Sequence, residues 1–292
     1  MGPAGEVAVA LDILAILPER SAIKVIDIGA MSLGPGTDSY AALERAGVAE
    51  IVGFEPVRAE CDKLNAAASE SKVYLPYAVG DGAKRVLHIC NFPMTSSLYE
   101  PNTDLVEKFQ NLANVMEVVE KQEVETRRLD DIQEVADPDY LKLDVQGAEL
   151  DVLNGAATSL AQAVVVHTEV EFVPLYKGQP LFGDVDQRLR EAGFQFHKFG
   201  GISGRTFKPL VANKNINEAL SQQLWADAVY VKDFMALDLL SVSKQLKLAT
   251  ILHLVYRSWD FVAFVLRAYD ARVNTNLADA YVQQLINRPT ST

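Results

Sequence analysis

The run Leu141-Lys142-Leu143-Asp144-Val145-Gln146-Gly147-Ala148-Glu149 constrains the fold of this 292-residue chain more than any other segment. An apolar strand ends in an aspartate, turns on a glycine and enters a helix, which is how an α/β sheet presents a carboxylate at its carboxyl edge. Lys24-Val25-Ile26-Asp27-Ile28-Gly29-Ala30 repeats the layout, and Glu55-Pro56 closes a further strand between the two. Acidic side chains at three strand ends point to a nucleoside cofactor beside a reaction centre.

β-rich apolar runs at residues 23–28, 51–54, 73–79, 140–143, 163–166, 194–199 and 228–231 alternate with helical patterns at 39–46, 58–68, 149–160 and 184–192. That rhythm predicts a mostly parallel seven-stranded sheet with helices on both faces. Residues 84–126 interrupt it with a β element, a helix over 105–112 and an alternating strand over 117–126. Such an excursion inside a compact domain reads as a flap on the ligand side. Residues 1–20 read as a short amphipathic helix ended by Pro18, 21–232 as the α/β domain, and 233–292 as an annex of three amphipathic helices that offers a surface for homo-oligomerisation. Aromatics such as Tyr256 and Trp259 in the annex are expected to pack.

With 39 acidic against 27 basic residues the formal charge is −12, which disfavours nucleic acid as a partner and favours a small molecule. Cys61 and Cys90 have no metal-ligand spacing and are read as reduced thiols of a cytoplasmic protein. No apolar run is long enough to span a bilayer, so no membrane partner is expected.

The turn Gly29-Ala30-Met31-Ser32-Leu33-Gly34-Pro35-Gly36-Thr37 lets backbone approach a ligand closely. A phosphate-binding loop would need Lys and Ser or Thr after the second glycine, and a dinucleotide fingerprint would need glycines in places held here by Met31 or Ser39. An NAD-linked oxidoreductase is therefore the lesser alternative, together with a non-catalytic small-molecule-binding protein. Asp27 beside the turn would repel a pyrophosphate but attract a sulfonium and an ammonium, the two cations of S-adenosylmethionine. Glu55 suits the two ribose hydroxyls, and Asp81, after the third strand, the adenine amino group.

These pieces resemble the FkbM-type family of S-adenosylmethionine-dependent methyltransferases: Val25 to Ala30, Phe54-Glu55-Pro56, Ala78-Val79-Gly80-Asp81, Leu129-Asp130-Asp131, Leu141 to Leu153, and His167 through Phe182. The resemblance spans about residues 20 to 232, and its most specific block is Asp144 to Glu149. It implies a Rossmann-like class I methyltransferase fold, S-adenosylmethionine as donor, and O-methylation of a sugar or secondary-metabolite-like hydroxyl. Cofactor-binding positions are then Asp27, Gly29, Ala30, Thr37, Glu55, Pro56, Val79 and Asp81. The chain departs from the family by carrying Met31-Ser32-Leu33-Gly34 after Gly29-Ala30, and Thr37 or the backbone near Gly34 is expected to substitute.

Methyl transfer from a sulfonium requires alignment of the acceptor oxygen and removal of its proton. Asp144, His167 and Glu169 are the candidate catalytic residues, with His167 suited to general-base work near neutral pH. An alternative has Asp144 and Glu169, with Glu171, hold a divalent cation such as Mg²⁺ that acidifies the hydroxyl. The segment Phe172 to Phe182 is expected to wall the acceptor pocket.

Overall fold

The computed structural model describes residues 12–30 and 38–287. Their strands are β1 (Ile23–Ile28), β2 (Ala49–Phe54), β3 (Lys72–Leu75), β4 (Ala78–Val79), β5 (Lys84–Cys90), β6 (Val118–Arg127), β7 (Tyr140–Leu143), β8 (Val165–Glu171), β9 (Phe194–Gly204) and β10 (Gln223–Lys232). The helices are α1 (Ala41–Arg45), α2 (Arg58–Ala67), α3 (Thr103–Val106), α4 (Leu112–Val115), α5 (Glu149–Asn154), α6 (Ala157–Gln162), α7 (Phe182–Glu191), α8 (Val242–Leu254), α9 (Trp259–Val273) and α10 (Leu277–Ile286).

Seven strands form one sheet in the order β3-β2-β1-β7-β8-β10-β9. The pairs β2/β3, β1/β7 and β7/β8 are parallel, whereas β10 runs antiparallel to both β8 and β9. The inner strands are largely buried, and one of their two faces is uniformly apolar. Ile26, Ile28, Leu141 and Leu143 share one core with Val152, Leu160, Val185 and Leu189 from the helices. Side chains alternate along each strand, so Asp27 and Lys142 lie on the opposite face, in register with each other and with His167.

Chain order reverses between β1 and β7, and ligands bind outside the carboxyl ends of the strands at such a switch point. Gly29 makes the close approach possible there. Its φ is +85°, and an added Cβ would lie 1.9 Å from the carbonyl oxygen of Asp144.

The excursion after β3 differs from expectation in two places. The apolar run 73–79 does not stay in the main sheet: β4 pairs with β6 in a second sheet of order β4-β6-β5. The helix expected over 105–112 is two single turns, α3 and α4, because Asn111 adopts a left-handed φ of 58° between them. Likewise the pattern 149–160 is divided into α5 and α6 around Gly155, where a side chain would meet the Gly80 carbonyl at 2.5 Å.

Two compact units result. One holds residues 24–30 and 49–233, and the other holds 12–23, 38–48 and 234–287. In the second, the described part of the expected N-terminal helix is a single 3₁₀ turn, Ile13–Ala15, capped by Asp12; residues 1–11 lie outside the described residues. The three annex helices pack on one another, and His253 is buried with Nδ1 2.8 Å from the Tyr281 hydroxyl. No helix among the described residues is long and apolar enough to cross a membrane.

Candidate active site at the carboxyl edge of the sheet

A cavity of about 580 Å³ opens at the switch point. Its floor is made by the strand ends, through Gly29, Glu55, Pro56, Val79, Asp144 and Gln146. Its roof comes from the flap, through Leu87, Ile89, Met94, Ser97 and Glu120. An acidic floor under a roof that is apolar through Leu87, Ile89 and Met94 suits a ligand with one polar, cationic edge and one flat apolar face.

Glu55 is buried, and one oxygen is fixed by the Val57 N–H at 2.7 Å. Burial pushes its carboxyl above the ordinary value, against the Val57 hydrogen bond, with Glu60 adding to the rise. The second oxygen has no partner among the described residues and faces the cavity. Asp27, beneath Gly29, is buried beside Lys142, whose Nζ stands 3.4 Å from Asp27 and 3.3 Å from Asp144.

Asp144 lies on the cavity wall, its side chain about one third exposed. Gln146 follows it in a left-handed conformation, φ 55°, and donates from one amide nitrogen to Asp144 at 2.8 Å and to Glu169 at 2.6 Å. The Gln146 side-chain oxygen accepts from the Tyr176 hydroxyl at 3.2 Å, and the Gln146 backbone carbonyl accepts from Ser97 at 2.6 Å. The turn after β7 thus ties the flap to two carboxylates.

Behind Asp144, ligand atoms of Glu149, Glu169 and Glu171 lie within 4.8 Å of one another. No Lys or Arg pairs with any of them among the described residues. Burial first, then neighbouring carboxylates, holds Glu169 and Glu171 well above the ordinary range, and Glu149 rises to about 7, chiefly from burial.

Of the positions expected from sequence, Gly29, Glu55, Pro56, Val79 and Asp144 meet at this cavity. Asp27, Ala30 and Glu169 stand behind its wall rather than on it, and Thr37 lies outside the described residues. Asp81 does not face the cavity. Its carboxylate accepts from the Ala83 N–H at 3.0 Å and from Arg85 and Thr126, so it closes a turn.

His167 is also away from the cavity. It sits opposite Lys142 in β8, with Nδ1 3.2 Å from the Tyr140 hydroxyl and Nε2 3.4 Å from Asp227. The segment 172–182 divides: Phe172 packs edge-on with Phe182 and with Phe199 beside the core, whereas Tyr176 and Gln179 reach the site turn, the first through its hydroxyl to Gln146 and the second against Gly147. Gln146 opens the turn that the sequence places after Asp144, with a substrate role and a structural one both open, whereas the sequence pattern assigns no role to Lys142. A lysine inside a short apolar strand is the available signal for Lys142, since buried lysines need a charged partner.

Sheet order, switch-point cavity and acidic strand ends define a Rossmann-like class I methyltransferase domain. The Methyltransferase FkbM domain model matches residues 27–196, more than half of the chain. The chain therefore belongs to the FkbM methyltransferase family, whose methyl donor is S-adenosylmethionine. No curated protein matches the sequence.

Similar solved structures include magnesium protoporphyrin IX methyltransferase from Synechocystis PCC 6803 with bound SAM (10% identity, 76% of this chain and 74% of that one, TM-score 0.37). An S-adenosylmethionine-dependent methyltransferase from Mesorhizobium loti matches at 14% identity over 75% of this chain and 95% of that one, TM-score 0.37. A 16S rRNA adenine methyltransferase from Catenulisporales acidiphilia matches at 12%, 77% and 95%, TM-score 0.31. These likenesses are distant, and the strand order itself defines the fold.

Proposed function

We propose that the protein O-methylates a hydroxyl of a sugar-like or secondary-metabolite-like small molecule, using S-adenosylmethionine bound in the switch-point cavity. The supporting observation is the convergence on one cavity of Gly29, the half-satisfied carboxylate of Glu55, and Asp144. When bound, the donor supplies an electrophilic methyl group on a sulfonium. Glu55 offers its unpartnered oxygen to a ribose, the flap excludes water, and Asp144 receives the acceptor hydroxyl. Gln146 fixes the direction of Asp144.

The acceptor reading is tested with methyl-labelled S-adenosylmethionine and a panel of polyhydroxylated compounds. A base-stable methyl ether is expected; label appearing only as a base-labile ester or on nitrogen contradicts it. Nucleic acid is disfavoured as the acceptor by the net charge of −12.

Glu55→Ala is expected to weaken S-adenosylhomocysteine binding roughly tenfold, as for loss of a charge-assisted hydrogen bond, with little change in melting temperature. Affinity equal to that of the unmodified protein would make Glu55 a purely structural residue.

A second reading places a divalent cation among Glu149, Glu169 and Glu171, supported by the mutual approach of three buried carboxylates without a basic partner. Such an ion would supply Lewis acidity. The carboxylates are otherwise held by shared protons, and the two cases separate in chelated protein. A carboxyl whose folded pKa is raised contributes stability that is fully present below the unfolded value near 4.5 and is lost as pH rises through the folded value, about 7 for Glu149. Metal-free protein is thus expected to lose stability over that window. Glu149→Gln should gain on the order of 2 kcal/mol relative to it at pH 8 and nothing near pH 4.5. A magnesium-dependent rise in melting temperature that Glu149→Gln abolishes would favour the cation, whereas turnover that survives thorough chelation removes it.

A further inference from the structure

Lys142 is the basic group that meets both Asp27 and Asp144, reaching 3.4 Å and 3.3 Å from them out of the central strand β7. Its side chain is only 17% exposed, and register with Asp27 across β1/β7 fixes the contact. Burial alone would favour the neutral amine. Asp27 and then Asp144 outweigh it and hold the ammonium charged, its pKa raised. Asp144 on the cavity wall, with Asp27 and Lys142 behind it, therefore carries one net negative charge between the three groups in place of two.

Methyl transfer discharges the donor: as the S–C bond breaks, its electron pair returns to sulfur and a sulfonium becomes a neutral thioether. The potential at the floor therefore separates donor from product. From this geometry we infer that Lys142 is a positioning residue that sets the preference of the site for charged donor over neutral product, by offsetting half of the Asp27 and Asp144 charge. Without it the floor stabilises the sulfonium more strongly than the partly discharged transition state, which tightens donor binding and slows transfer. The inference rests on donor binding in this cavity.

The test is titration calorimetry of the full chain with S-adenosylmethionine and with S-adenosylhomocysteine at pH 8, for the unmodified protein, Lys142→Met, Lys142→Gln and Lys142→Arg. Both neutral variants should raise the donor-over-product affinity ratio roughly tenfold, the effect of one unit charge within about 10 Å in a partly buried site. Lys142→Arg should keep the ratio. Lys142→Gln retains donors for both carboxylates and serves if the methionine variant fails to fold. A ratio that stays constant while both affinities fall would overturn the inference, leaving Lys142 a structural residue. Failure of the unmodified protein to bind either ligand would instead sink the donor reading.

Discussion

Gly29→Ala is expected to destabilise the protein by more than about 3 kcal/mol, enough to lower its melting temperature by several degrees or prevent accumulation of folded protein. Two costs add. The residue holds φ at +85°, which a side chain resists, and its new Cβ would sit 1.9 Å from the Asp144 carbonyl oxygen. That oxygen belongs to backbone in the centre of the sheet, so it cannot rotate away as a side-chain tip would. Relief requires β1 and β7 to separate where Asp144 N–H donates to the Ile28 carbonyl. Alanine at Gly178, with φ +73° but open space around it, provides the control and should cost about 1 kcal/mol. Equal melting temperatures for the two variants would show that the approach of the strands is not required.

Asp144→Ala is expected to lower turnover at least a hundredfold, the range for loss of a group that positions or deprotonates a nucleophile, while the fold persists. Asp144 is partly exposed and its main-chain bonds do not depend on its side chain. The variant removes one acceptor of the Gln146 amide and one partner of Lys142, but Glu169 and Asp27 remain to hold both. Rates are to be compared at saturating donor with whichever acceptor the labelling panel identifies, alongside melting temperature. Unchanged turnover would remove Asp144 from the reaction, and loss of folding would make it structural.

The parts of the site legible in the sequence are those encoded within a few residues. Asp144 and Asp27 each close an apolar strand directly before a turn, and Glu55 does so before a proline, so strand and ligand edge are both written locally. Asp81 shows where this logic stops. It too follows a strand, but the glycines around it make a tight turn in which the Ala83 N–H, the Thr126 hydroxyl and Arg85 satisfy the carboxylate first.

His167 lies away from the cavity at a depth set by register with β7, and register is a long-range property that the local pattern does not encode. The same holds for Lys142, whose meaning depends on Asp27, a partner far away in sequence and adjacent only in the sheet. Departure of β4 from the main sheet was invisible because an apolar run looks the same whichever neighbour it pairs with. The buried trio of Glu149, Glu169 and Glu171 also joins two distant segments, and Glu149 takes in it the place that the sequence pattern gives to Asp144.

Calorimetric titration of the unmodified protein with S-adenosylhomocysteine, in parallel with NAD, tests the assignment of the switch-point cavity most directly. One equivalent of S-adenosylhomocysteine should bind, with NAD giving no heat of binding. NAD binding with no response to S-adenosylhomocysteine would contradict it.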